Sequence, residues 1–171
     1  MSMTENVLYK VLENHPNDSR VKIREDNTFQ SLTSRMGTGG GNVPMIMENE
    51  TVVRRLTPLE CERLQGFPDG WTDIGDWVDS KGKKHNGEAD APRYKALGNS
   101  IALPFWEWMA ERMVEILKKD GTKEPTMASL FDGIGGFPLV FSRCGCKPVW
   151  ASEIEEFPIA VTKIRFPGGE E

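Results

Sequence analysis

Cysteine and histidine are scarce in this sequence, which has 3 cysteines and 2 histidines among 171 residues. Cys61, Cys144 and Cys146 are odd in number and fit no disulfide framework of a small secreted domain. Cys144 and Cys146 lie close together, but no further cysteine or histidine is near enough to complete a tetrahedral metal site. We therefore expect reduced thiols and no metal site.

Long apolar runs are also lacking. No stretch approaches the roughly 20 apolar residues that span a bilayer. The first residues, Met-Ser-Met-Thr-Glu-Asn, have neither the basic start nor the apolar core of a signal peptide. These absences predict a cytoplasmic protein with no membrane partner.

An excess of positive charge is the third absence. The net charge is −5, and residues 10–35 contain almost as many acidic as basic side chains. DNA binding by bulk charge alone is therefore disfavoured. Any affinity for DNA would need shape and specific contacts, or a more basic partner.

The chain divides into three segments of different character: 1–54, 55–120 and 121–171. In the first, short extended pieces at 7–12, 20–23 and 45–47 alternate with Asn, Asp, Gly and Ser. This pattern predicts a small irregular β region. The second segment predicts helices, and the third predicts an alternation of strand and helix.

The strongest local signal is a capping box at the start of the second segment. Thr57 is suited to the N-cap, Pro58 to the first helical position, and Glu60 to the third position after the cap. Gly66 is a natural stop. The spacing predicts a helix over 58–65.

A longer amphipathic helix is predicted to begin at Pro104. Lys118 and Lys119 suit its C-terminal end, and residues 120–125 are typical of a linker. Its apolar face is predicted to consist of Phe105, Trp108, Met109, Met113, Ile116 and Leu117.

The third segment predicts a β-α-β-α unit. A buried strand at 126–131, a helix from Pro138 and a strand at 148–152 are followed by a helix at 157–166. Two parallel strands cannot bury both faces of their own sheet, so this unit needs further strands beside it. An exposed edge near residues 147–152 would favour pairing with another chain or a second copy.

A glycine turn joins the first strand of this unit to its helix. Gly133 would allow a tight reversal, while Gly135 and Gly136 would let the backbone approach a ligand at the helix N-terminus. The G-x-G-G spacing differs from the dinucleotide pattern G-x-G-x-x-G. Taken alone, the turn is weak evidence for a cofactor.

Glu153 strengthens that interpretation, because it follows the second strand twenty residues after Gly133. An acid at that place binds ribose hydroxyls in nucleoside-binding α/β folds. Ile154 would then present an apolar face to an adenine ring. The alternative is an exposed glutamate that merely opens a helix.

Asn99 and Ser100 allow two interpretations. They precede the amphipathic helix, so their chemistry alone favours a simple N-cap. A ligand-binding role depends on the resemblance that follows.

The sequence resembles the DNA cytosine-5 methyltransferases. Residues 55–69 and 97–104 resemble the ninth and tenth sequence blocks of that family, whereas 129–158 resembles the first and second. Residues 14–47 are similar to the back half of its target-recognition region. The closing blocks therefore precede the opening blocks, as in a circularly permuted or split enzyme of restriction-modification type.

The resemblance implies an α/β fold: part of a Rossmann-like S-adenosylmethionine-dependent methyltransferase sheet, plus a small irregular β target-recognition region. The DNA-contacting residues that it implies are Arg20, Ser31, Thr33 and Arg35. The residues that it implies for S-adenosyl-L-methionine are Phe131, Asp132, Gly133, Gly135, Gly136, Glu153, Ile154, Asn99 and Ser100.

The departures from the family pattern concern the reacting groups. The family's nucleophile is a cysteine directly after a proline, which attacks C6 of a flipped cytosine. The residues before the three cysteines of this chain are Glu60, Arg143 and Gly145. We therefore expect no catalytic residue in this chain and no methylation by this chain alone.

Three hypotheses follow from this pattern. The chain is a piece of a cytosine-5 methyltransferase that requires a complementary chain or missing segment, an inactive remnant that binds cofactor or DNA, or a truncated reading frame without independent function.

Overall fold

The computed structural model describes residues 10–14, 21–26, 28–38, 43–48 and 52–167. Its elements are β1 (Lys10–Asn14), β2 (Val21–Arg24), a 3-10 helix (Ser34–Thr38), β3 (Met45–Glu48), β4 (Val52–Arg55), α1 (Pro58–Gln65), β5 (Trp77–Val78), β6 (Lys84–His85), α2 (Asp90–Asn99), α3 (Leu103–Lys119), β7 (Thr126–Leu130), α4 (Gly136–Arg143), β8 (Lys147–Ser152) and α5 (Glu156–Arg165).

The first segment forms an antiparallel sheet with strand order β2-β1-β3-β4. The β character of this segment is confirmed, but the sheet has a regular register and includes β4, which was not predicted. Part of the extended piece at 7–12 and the residue Arg20 lie outside the described residues.

Helix α1 has the predicted bounds and the predicted cap. The Thr57 hydroxyl accepts a hydrogen bond from the Glu60 amide, and the Glu60 carboxylate accepts one from the Thr57 amide. Arg54 binds the same carboxylate through two nitrogens at 2.8 Å, and this contact lowers the pKa of Glu60 to about 2. Gly66 ends the helix in the left-handed conformation.

Helix α2 was not predicted. Its N-cap residue is Ala89, whose side chain makes no capping hydrogen bond, and the helix is only weakly amphipathic. Its other partners explain why it forms: the Gln65 amide donates to the Leu97 carbonyl at 2.7 Å, and the Tyr94 hydroxyl donates to the Leu56 carbonyl at 2.6 Å. Tertiary contacts therefore compensate for a weak helical sequence.

Helix α3 is confirmed, and Asp120 to Pro125 connect it to β7 as expected. Its buried positions are Leu103, Ala110 and Val114, which pack towards α4. Most of the predicted apolar face is instead exposed, namely Phe105, Trp108, Met113, Ile116 and Leu117. Helical periodicity predicted which residues form this apolar face. It could not predict that no other part of the described chain packs against most of that face.

The β-α-β-α unit is confirmed, with β7 and β8 parallel and paired to each other. The prediction that β7 is a buried strand was wrong: Ser129 is its buried residue, while Leu130 is exposed. Val149 and Trp150 of β8 are also largely exposed. In the described part of the chain neither strand has a second strand beside it, so both outer edges of the sheet are unpaired, while α4 packs against the two strands.

None of the helices in the described ranges is long and apolar enough to cross a membrane.

The hydrophobic core contains side chains from all three segments. Its fully buried side chains include Cys61 of α1, Leu97 of α2, Leu103 of α3 and Ile134 of the glycine turn.

Candidate functional site

The candidate site lies where β7 and β8 end side by side. The Gly133 amide donates to Glu153 Oε2 at 2.7 Å, so the glycine turn and the predicted acid are in direct contact. The other oxygen of Glu153 accepts from the amides of Ile154 at 2.7 Å and Glu155 at 2.9 Å. Both predicted elements therefore belong to one structure at the carboxyl edge of the sheet.

The Glu153 carboxylate keeps room for one further donor. A carboxylate accepts about four hydrogen bonds, and Glu153 makes three, two of them on Oε1. Oε2 can therefore accept one more, for example from a ribose hydroxyl. This capacity is compatible with a nucleoside, although most of the group's bonds fix the turn itself.

Two exposed apolar side chains flank this acid. Phe131 is 79% exposed and has φ 54°, a left-handed conformation that costs a non-glycine residue roughly 1–2 kcal/mol. Ile154 is 80% exposed. Exposed apolar groups and backbone strain of this kind concentrate at ligand sites.

The structural requirement for glycine differs among the three positions of the turn. Gly133 has φ 60°, and a Cβ there would meet open space. A Cβ at Gly135 would lie 2.6 Å from the Phe166 ring, and one at Gly136 would lie 2.9 Å from Ile101. The space expected for a ligand at Gly135 and Gly136 is thus filled by the chain's own side chains.

Asp132 is buried beside the same edge. It is 6% exposed, and neither carboxyl oxygen has a hydrogen-bond partner in the described part of the chain. Burial raises its pKa, and the nearby Ser129 hydroxyl, which does not reach hydrogen-bond geometry, lowers it only in part. A cavity of about 260 Å³ between β8 and α5 borders Asp132 and Glu153.

Asn99 and Ser100 approach the turn from α2. Ser100 caps the C-terminus of α2 by donating its amide to the Leu97 carbonyl, and Ala102 stands at the N-cap of α3. The simple N-cap interpretation of Asn99 and Ser100 was therefore wrong. The next residue, Ile101, packs against Gly136, which brings this stretch beside the glycine turn.

Trp71 connects the second segment to the turn, a role that no local sequence pattern predicts. Its indole Nε1 donates to the Ile134 carbonyl at 2.7 Å. Arg165 of α5 donates to the Trp71 carbonyl at 2.9 Å and lies over the Trp71 ring. The fully buried Glu62 accepts from the Gly70 amide at 2.7 Å and from the Thr72 amide at 2.8 Å, which fixes the loop that carries Trp71.

The described DNA-contacting residues that were predicted lie on or just before the 3-10 helix, which packs against α2. Ser31, Thr33 and Arg35 are exposed on and before the 3-10 helix, whereas Met36 is buried. Arg20 lies outside the described residues.

The three cysteines carry free thiols. Cys61 is buried, and burial near Glu60 and Glu62 raises its pKa to about 12. Burial also raises the pKa values of Cys144 and Cys146. A thiol needs a lowered pKa to be a good nucleophile near neutral pH. The pKa values of all three thiols are raised instead, which makes them poor nucleophiles.

Comparison with known sequences decides the family. Residues 3–115, more than half of the chain, match the family described as C-5 cytosine-specific DNA methylase. The chain belongs to this family. Members of the family methylate DNA with S-adenosylmethionine as the methyl donor.

Three relatives have similar stretches. The DNA N-6-adenine-methyltransferase of Escherichia phage P1 is 41% identical over 97 residues, covering 43% of this chain and 12% of that protein. Type II methyltransferase M.Bsp6I of Bacillus sp. (strain RFL6) is 33% identical over 93 residues, covering 54% of this chain and 25% of that protein. Type II methyltransferase M1.ScrFI of Lactococcus lactis subsp. cremoris is 30% identical over 97 residues, covering 57% of this chain and 22% of that protein.

The chain therefore spans no more than a quarter of the length of these three relatives. The name of the phage protein specifies adenine, whereas the matched family is cytosine-specific.

Replacing Trp71 with Phe should destabilise the protein by about 1–3 kcal/mol, because the buried Ile134 carbonyl would lose its donor. The matched control is Trp150→Phe, since the Trp150 ring is partly exposed on β8. Urea unfolding should show a lower midpoint for Trp71→Phe at an unchanged slope. Equal small losses for the two variants would contradict the role assigned to the Trp71 indole.

Proposed function

We propose that this chain is part of a DNA cytosine-5 methyltransferase that binds S-adenosyl-L-methionine and contacts DNA. The observation that carries the proposal is the hydrogen bond between the Gly133 amide and Glu153, flanked by the exposed Phe131 and Ile154. A glycine turn and an acid at adjacent strand ends form the usual nucleoside site of an α/β sheet.

In this proposal each side chain has its own part in holding the cofactor. Glu153 accepts a ribose hydroxyl through its remaining Oε2 site, while Phe131 and Ile154 pack against the adenine ring. Asn99 and Ser100 lie towards the methionine end, which is supported by the packing of Ile101 on Gly136. The bound cofactor supplies an activated methyl group on its sulfonium.

The glycine turn would contribute through its backbone. The side chain of Asp132 is buried, and the Cβ positions of Gly135 and Gly136 face the chain's own side chains. Contacts from these three residues to the cofactor would therefore come from main-chain atoms.

DNA would be contacted from the 3-10 helix and the residues before it. Ser31 and Thr33 can donate to phosphate oxygens, and Arg35 or Arg20 can bind a phosphate or the edge of a guanine. With a net charge of −5, such directed contacts would matter more than bulk attraction.

The nucleophile would come from outside these 171 residues. Methylation at C5 of cytosine requires a thiolate that attacks C6 of the flipped base. The raised pKa values of the three cysteines, and the absence of a preceding proline, speak against each of them. A complementary chain or a further segment would supply the Pro-Cys pair.

Two uncovered surfaces support such a complement. The sheet of β7 and β8 has free edges in the part of the chain that is described, and exposed Leu130 and Val149 lie on it. Helix α3 leaves Phe105, Trp108 and Ile116 exposed. Further strands from a complementary methyltransferase chain, or from a second copy, would cover these apolar groups.

Calorimetry with S-adenosylmethionine tests the cofactor site. Wild type should bind, and Glu153→Gln should bind roughly 10- to 100-fold more weakly, because a hydrogen bond to a charged group is lost. Glu124→Gln, in the exposed linker, is the matched control and should bind like wild type. Circular dichroism checks that Glu153→Gln is folded. No binding by wild type would contradict the cofactor claim, and equal binding by the three proteins would remove the role of Glu153.

A tritiated-methyl transfer assay on duplex DNA should show no incorporation by this chain alone, because its thiols are largely protonated at neutral pH. A complete cytosine-5 methyltransferase serves as the positive control. Incorporation by the chain alone would show that the nucleophile is present after all. If a complementary Pro-Cys chain also fails to restore transfer, an inactive cofactor- or DNA-binding remnant is the better explanation.

A further inference from the structure

Helix α2 contacts the 3-10 helix unusually closely. A Cβ at Gly98 would lie 2.0 Å from the carbonyl atoms of Thr33 and 2.4 Å from the Ser34 amide nitrogen. From the opposite side, a Cβ at Gly37 would lie 2.6 Å from the Lys95 Cβ and from the Ala91 carbonyl oxygen. Glycine on each partner thus brings the two backbones together, and neither element can shift without the other.

This contact is directly beside both proposed binding surfaces. Thr33, which contacts Gly98, is one of the proposed DNA-facing residues, and Arg35 follows two positions later. On α2, Gly98 immediately precedes Asn99 and Ser100, which we assign to the methionine end of the cofactor.

Lys95 makes a second connection between the same two surfaces. Its Cβ lies against Gly37 of the 3-10 helix, and its ammonium binds Glu155 Oε2 at 2.8 Å. Glu155 follows the cofactor edge directly, and its amide donates to Glu153 Oε1 at 2.9 Å. One side chain therefore spans from the recognition side to the acid of the cofactor site.

From these contacts we infer that α2 couples the cofactor edge to the DNA-facing 3-10 helix, with Lys95 as a positioning residue. The inference rests on the proposed function. When cofactor contacts fix Glu153 and Asn99, α2 is fixed at both points, and the 3-10 helix is held with it. When binding at one site orders this part of the chain, binding at the other site loses less conformational entropy.

Amide hydrogen exchange measures this coupling without requiring the DNA target. The amide of Met36 donates to the Thr33 carbonyl at 3.0 Å, so it reports on the 3-10 helix. Saturation of the wild-type chain with S-adenosylmethionine should slow exchange in peptides covering 33–38 by roughly tenfold, within the usual range of coupling between sites.

Lys95→Met is the decisive variant, because it keeps the Cβ and the apolar stem but removes the ion pair with Glu155. The matched control is Lys119→Met, which removes the exposed pair of Lys119 with Glu115 at 2.7 Å on α3. Exposed ion pairs contribute little to stability, so both variants should unfold at nearly the wild-type temperature. Lys95→Met should lose a measurable part of the cofactor-dependent protection at 33–38, because only Asn99 then connects α2 to the cofactor, and Lys119→Met should retain all of it.

Three results would overturn the inference. Binding of S-adenosylmethionine with unchanged exchange at 33–38 in wild type would show that the two surfaces are independent. Full protection in Lys95→Met would remove the role of Lys95. Absence of cofactor binding in calorimetry would reject the proposed function itself, and the coupling with it. The wild-type measurement remains decisive even if a variant fails to fold.

Discussion

The hydrogen bond from the Trp71 indole to the Ile134 carbonyl connects the loop after α1 to the glycine turn after β7. Ile134 is fully buried within the glycine turn, so its carbonyl needs a protein donor. The loop that carries Trp71 is in turn fixed by Glu62 from α1 and by Arg165 from α5. The geometry of the turn, and with it the position of Gly133 against Glu153, depends on this arrangement.

The same arrangement explains how the proposed cofactor edge can be held in place on so small a sheet. β7 and β8 bury little of their own surface, and the core lies instead among α1, α2, α3 and the glycine turn. The helices thus position the ends of two strands whose outer edges have no neighbouring strand in the described part of the chain. Strands supplied by a complementary chain or segment would complete the sheet without moving the glycine turn.

Local chemistry made part of this structure predictable. The capping box at Thr57 and Glu60 determines α1 within one turn, and glycine with adjacent apolar runs determines β7, α4, β8 and α5. The pairing of the glycine turn with Glu153 was expected because carboxyl ends of neighbouring parallel strands share one edge.

Long-range contacts determined what could not be predicted. Helix α2 depends on partners from 32 to 38 residues away in the sequence, such as Gln65 and Leu56, which no local pattern reveals. The exposed face of α3 depends on what packs beside it, and the requirement for glycine at 98 depends on Thr33. The burial of Asp132 and the left-handed backbone of Phe131 likewise follow from the fold around the turn.

Amide NMR during titration with S-adenosylmethionine tests most directly whether Gly133 and Glu153 form a cofactor-binding edge. The amides of Gly133 and Ile154, both bonded to Glu153, should shift saturably together with that of Asn99. The amide of Gly121, which donates to the Lys118 carbonyl before the start of β7, lies at the opposite end of that strand and should not move. Shifts confined to other regions, or equal at Gly133 and Gly121, would contradict a cofactor site at this edge.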